Sequence, residues 1–167
     1  MIRLVGSVLL IGCGWFGGHT VVQRQKDCLR QCELLNIYLE NLFAELEYTH
    51  APFEKIAQNL SENVMFRHFG FAKLCAKNTA ITPFSFVFAE AVEQSRAVLG
   101  NEVCEYLADL SGQLGNYAIE TQISAIKLCQ HRVKQITETI RSKTTQNAKL
   151  YHSLGLLGGC AAVILLW

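Results

Sequence analysis

The last nineteen residues, KLYHSLGLLGGCAAVILLW, carry no charge after the opening Lys149. Each helical residue advances 1.5 Å, so residues 150–167 make a helix of about 27 Å, close to the ~30 Å hydrocarbon core of a bilayer. The run is predicted to cross a membrane. Tyr151 and His152 stand where an interfacial belt would lie at one end, and Trp167 stands at the other. Gly155 and Gly159 form a GxxxG pair, and Gly158 and Cys160 are also small, so a neighbouring helix has room to approach closely. The competing account is a buried C-terminal helix of a soluble protein, which the run's position at the short edge of the spanning range keeps open. A second hydrophobic end weighs against it.

That second end is residues 4–22, LVGSVLLIGCGWFGGHTVV, again without formal charge and again long enough to span. Gly14 and Gly18 repeat the GxxxG spacing, which suits packing of the two spans on each other or on partner helices. As a secretory signal the segment has Arg3 and an apolar run but no clear A-x-A cleavage site, and its apolar character continues past the expected cut. Leu10-Ile11-Gly12-Cys13 resembles a bacterial lipobox, which gives an alternative function: an exported lipoprotein with an extracytoplasmic helical domain. Only twelve residues precede Cys13, however, and WFGG follows where a lipoprotein tether is polar. Arg24, Lys26 and Arg30 follow the first span, and Arg141, Lys143 and Lys149 precede the second. Positive residues at both inner ends put the middle of the chain, residues 23–149, in the cytoplasm and both termini outside.

A chain of 167 residues allows one domain with one modest core. Its 50% hydrophobic share is high because of the two ends; the middle is ordinary globular sequence. A net charge of +1, without a basic stripe interleaved with aromatics, argues against nucleic acid as a partner. Seven cysteines include Cys13 and Cys160 within the hydrophobic ends. Cys28, Cys32, Cys75, Cys104 and Cys129 show no CxxC and no zinc-type spacing, so they are expected as small core residues in a reducing compartment.

The middle is predicted to be all-α. Cys28, Cys32, Leu35, Leu39, Leu42 and Leu46 alternate spacings of four and three over residues 27–48, and Leu34, Ile37 and Tyr38 widen that apolar side into a bundle-packing face. Pro52 stops this helix and suits the first turn of the next, over residues 53–60. Further helices are expected over 64–76, 83–99 and 101–114, with Thr82 and Asn101 as N-caps and Gly100 and Gly115 as stops. The last runs from 116 towards the membrane with Ile119, Ile123, Ile126, Cys129, Val133, Ile136 and Ile140 on one face. The expectation is a cytoplasmic bundle of about six helices, residues 23–149, flanked by transmembrane helices 4–22 and 150–167.

Three stretches resemble the stage III sporulation protein AB family. KLYHSLGLLGG at the C-terminus is similar to that family's K-M-Y-x-S-L-G-x-L-G-G, LFAELEYTHAPFEKIA at 42–57 to its L-E-x-E-I-x-Y-x-x-T-P-L-x-x-A, and LGNYAIETQ at 114–122 to its L-G-x-S-D-x-x-x-Q. Phe43, Ala51 and the pair Tyr117-Ala118 depart from those patterns, where the family favours Glu, Thr and Ser-Asp. The resemblance implies a component of the mother-cell membrane around the forespore, within a channel or feeding apparatus across the two membranes. It also implies a domain like the cytoplasmic domains of type II secretion and type IV pilus platform proteins. Its implied partners are a secretion-type ATPase of the same operon and other membrane subunits.

No catalytic constellation accompanies these motifs. Glu47-Tyr48-Thr49-His50 is a single E-x-x-H, whereas carboxylate-bridged di-metal bundles need two, and a surface pair at a helix end is expected instead. No G-x-x-x-x-G-K-[ST] phosphate loop occurs, so ATP hydrolysis would have to come from a partner; no cofactor is expected, and without a catalytic constellation the chain is not expected to be an enzyme. Among the motif residues, Glu45, Tyr48 and Gln122 are the partner-binding candidates. Pro52, Leu114 and Gly115 read as turn and packing positions.

Overall fold

The computed structural model describes the backbone of residues 2–77, 82–115 and 117–166, and the side chains of 23–77, 82–115 and 117–145. Six α-helices and one 3₁₀ turn occur among them, with no strand: α1 (Ile2–Thr49), α2 (Phe53–Glu62), the 3₁₀ turn Val64–Phe66, α3 (Gly70–Cys75), α4 (Phe84–Leu99), α5 (Asn101–Ser111) and α6 (Ile119–Leu166). The chain divides into two compact units, Cys28–Glu138 and a second made of Met1–Asp27 with Thr139–Trp167. Among the described residues no helix is long and apolar enough to cross a membrane. The side chains of the two stretches expected to do so, with the glycines of both GxxxG pairs, lie outside the described residues.

The Cys28–Glu138 unit is organised by the seam predicted on α1. Cys32, Leu35, Tyr38, Leu39, Leu42 and Leu46 are buried along it, and only Cys28 at its start is half-buried. Hydrophobic burial of such side chains stabilises by ~1.5–3 kcal/mol each, which commits this face of α1 to the interior. Tyr38 is the centre of an aromatic cluster: the rings of Phe66, Phe69 and Phe71 lie 5.6, 6.1 and 5.7 Å from its own, and Phe71 passes the contact on to Phe88 at 5.3 Å.

That cluster corrects the expectation of one helix over 64–76. In a continuous helix Phe66 and Phe71, five residues apart, would diverge by about 140° at ~100° per residue, and one of them would miss Tyr38. The chain instead makes the 3₁₀ turn, capped by Asn63 Oδ1 accepting from the Met65 N–H at 3.0 Å, and restarts at Gly70. The N-caps also differ from expectation. Pro83 and Gly100, not Thr82 and Asn101, occupy the capping positions of α4 and α5, and neither helix has a side-chain cap. The Pro83 carbonyl accepts from Phe86 and Val87, and the Gly100 carbonyl accepts from Cys104.

The buried face of α6 within this unit is Gln122, Ile126, Cys129, Val133 and Thr137, whereas Ile119, expected on that face, is exposed. Asn36 of α1 donates from Nδ2 to Thr137 Oγ1 at 2.9 Å, and the Lys127 ammonium lies 4.5 Å over the Phe43 ring, so α1 and α6 are tied by polar as well as apolar contacts. Cys129 Sγ faces the Tyr106 carbonyl of α5 at 3.6 Å.

Candidate functional site

Two of the three motif segments meet. α1 ends where Pro52 approaches: Thr49 Oγ1 donates to the Glu45 carbonyl at 2.6 Å and accepts from the Ala51 N–H at 3.2 Å, while His50 turns the chain at φ +50°. His50 also closes the helix, its N–H donating to the Leu46 carbonyl at 3.1 Å with Nδ1 at 3.2 Å from the same oxygen. This left-handed residue is uncommon outside glycine, and the doubled contact to Leu46 holds it.

On the other side, Gln122 folds back on the loop that precedes α6. Its Oε1 accepts from the Gly115 N–H at 3.2 Å, and its Nε2 donates to the Tyr117 carbonyl. The side chain is buried, so both ends of the amide are satisfied by this loop. Gly115, at φ +80°, makes the reversal that brings its N–H within reach.

Between these segments lies a groove of about 360 Å³, lined by Leu46, His50, Ala51, Pro52, Phe53, Glu54, Pro83, Phe84, Ser85, Leu114, Gly115, Ile119 and Gln122. Four predicted motif residues, Pro52, Leu114, Gly115 and Gln122, are therefore brought together. Glu45 and Tyr48 are not in the lining: Glu45 is half-buried on α1, and Tyr48, the last residue but one of that helix, stands 82% exposed. Phe86 and Tyr117, 68% and 58% exposed, belong to the α4 start and the pre-α6 loop that also contribute to the groove. Three exposed aromatics thus accompany the three segments that form it. Large aromatics in water are the residues from which protein interfaces draw most of their energy.

The α4 side of the groove went unnoticed in the sequence, although a signal was present. The chain's two prolines are each followed by phenylalanine, and both prolines occupy N-cap positions. The two rings that follow, Phe53 and Phe84, stack at 5.2 Å with planes 7° apart. The repeated Pro-Phe pair builds one wall from two distant segments.

The groove is lined by apolar Leu46, Phe53, Phe84 and Leu114 together with polar His50, Glu54, Ser85 and Gln122. Among the described residues no group of three or more His, Cys, Asp or Glu is placed to hold a metal. Glu47 and His50, the E-x-x-H pair, are both exposed at the end of α1.

The model of the stage III sporulation protein AB family matches residues 3–167. Stage III sporulation protein AB of Bacillus subtilis (strain 168) is 23% identical over 170 residues, with 99% of each chain covered. A solved structure of stage III sporulation protein AB, 18% identical, superposes with a TM-score of 0.57 and covers 71% of this chain and 96% of its own. At that identity the likeness concerns the fold.

Proposed function

The chain belongs to the stage III sporulation protein AB family, and from that premise we propose that it is a non-enzymatic membrane platform of a secretion-like channel between mother cell and forespore. Its two apolar ends anchor it in the mother-cell membrane, and its helical unit, on the cytoplasmic side, docks a secretion-type ATPase and other membrane subunits. The observation that carries this is the groove. It joins the two segments that resemble the family's internal motifs, and exposed Tyr48, Phe86 and Tyr117 come from the same three pieces of chain. Its action would be differential contact with partner states, since a binding site shifts an equilibrium only by preferring one state.

The test is capture of the operon's ATPase by the membrane-embedded full-length chain, comparing wild type with Tyr48→Ala/Phe86→Ala. Both side chains face solvent, so helix content is expected to be unchanged and stability to stay within ~0.5 kcal/mol of wild type. Capture is expected to fall by about tenfold or more, since buried interface aromatics cost ~2 kcal/mol or more on truncation. Undiminished capture by the double variant would remove the ATPase from this surface.

A further inference from the structure

Charge is segregated by helix along the α5–α6 side of the Cys28–Glu138 unit. Between Arg96 and Lys127 the sequence has no lysine or arginine. Within that stretch α5 carries Glu102, Glu105 and Asp109, all exposed and spaced by three and four, so that they share a face. Arg96 does not offset them, because it is paired with Glu93. Between Glu120 and Glu138 the sequence has no carboxylate. There α6 carries exposed Lys127, Arg132 and Lys134 around Leu128, which is 61% exposed.

The acidic and the basic helix are neighbours. Cys129 Sγ of α6 lies 3.6 Å from the Tyr106 carbonyl of α5, and the short connection between the two helices makes them antiparallel. Among the described residues none of Glu102, Glu105, Asp109, Arg132 and Lys134 is in an ion pair within its own chain.

We propose that this face is a docking surface for a second copy of the chain, in a two-fold dimer that lays α5 of each copy over α6 of the other. The reason is charge complementarity. A partner of one sign is repelled by one of the two helices, whereas a surface carrying the same two stripes in the opposite order is attracted by both. A copy related by a two-fold axis parallel to α5 and α6 presents that order, and the contact is self-complementary, as isologous contacts are. Such an axis leaves the levels along the helices unchanged. At 1.5 Å per residue Glu102 and Arg132 lie about 6 and about 4.5 Å to one side of the contact between Tyr106 and Cys129, and Asp109 and Lys127 lie about 4.5 and about 3 Å to the other. Glu102 and Asp109 therefore each meet a base of the other copy at nearly their own level, and Leu128 is covered between them. An apolar centre inside a charged rim is the ordinary anatomy of a protein interface.

The experiment solubilises the full-length chain, made with two different affinity tags, in a neutral detergent at low salt and measures how much of one tag co-purifies with the other. Wild-type copies are expected to pair. Two charge-reversed forms, Glu102→Lys/Glu105→Lys and Arg132→Glu/Lys134→Glu, are each expected to lose pairing with themselves by about tenfold or more, since like charges then face each other across the two-fold axis. Lys127 is left unchanged in both, because its ammonium also lies over the Phe43 ring. Mixing the two forms restores both contacts with the signs exchanged, so pairing is expected to return to near the wild-type level. A merely structural defect in either form is not rescued by mixing. Absence of wild-type pairing, pairing that survives either reversal, as it does if only the apolar ends associate, or a loss that mixing does not restore would each overturn the proposal.

Discussion

Tyr38 carries an unusual burden for one residue. Its ring anchors three phenylalanines, yet its hydroxyl is fully buried and has no hydrogen-bond partner. The Cys75 thiol is its polar neighbour, and burial pushes the phenol well above its ordinary range. A buried, unsatisfied hydroxyl costs ~1–3 kcal/mol, while the ring contacts would survive its removal. Tyr38→Phe is therefore expected to stabilise the protein by about 1 kcal/mol, read as a higher urea midpoint at unchanged slope. A destabilised variant would mean that the hydroxyl has a partner after all. Periodicity in the sequence is enough to put Tyr38 on the apolar side of α1, because burial follows from spacing. The orphaned hydroxyl is not legible there, since it depends on where Phe66, Phe69 and Phe71 arrive from thirty residues away. Gln122 teaches the same limit. A polar head on a helix reads as available, but here Gly115 and Tyr117 take both ends of its amide.

At the scale of elements, junctions rather than helices decide the fold. The α4–α5 junction turns on Gly100, whose φ of +89° and ψ of 156° lie in a region that only glycine occupies readily. Nothing lies within 4 Å of a Cβ added there, so the penalty of a substitution is conformational and not steric. Gly100→Ala is expected to cost ~1–3 kcal/mol. Gly100→Asn should be no milder, because asparagine eases left-handed helical geometry, which has ψ near +47°, and not this extended one. A thermal melt in which Asn rescues Ala would contradict that assignment. Gly100 as a stop was legible, since glycine after a periodic run has one local meaning. The break at residues 67–69 was not, because hydrophobic spacing over 64–76 suits a helix and only the tertiary demand that three rings reach Tyr38 interrupts it.

At the scale of the whole molecule, the Cys28–Glu138 unit is closed by segments from opposite ends of the chain. Its α1 and α6 portions meet through Asn36 with Thr137 and Phe43 with Lys127, and α1 reaches the α4 end through Cys32 and Leu99. Helical class followed directly from periodicity, but the pairing of α1 with α6 has no local signature, because contacts a hundred residues apart leave none in a window of eighteen. This closure has a consequence for truncation. Residues 23–149 include the complete unit without either apolar end, so the fragment is expected to be soluble without lipid, predominantly helical by circular dichroism, and cooperative in its melt. Residues 23–116 keep every helix from the α1 portion to α5 yet omit α6, which removes the buried Ile126, Cys129 and Val133 and leaves Asn36 without Thr137 and Phe43 without Lys127. Loss of several buried apolar side chains at ~1.5–3 kcal/mol each is comparable to the ~5–15 kcal/mol by which a domain is stable. The shorter fragment should therefore retain helix but melt without a transition. If it melts as sharply as residues 23–149, α6 is a covering that the core does not require, and the unit is built on α1 to α5 alone.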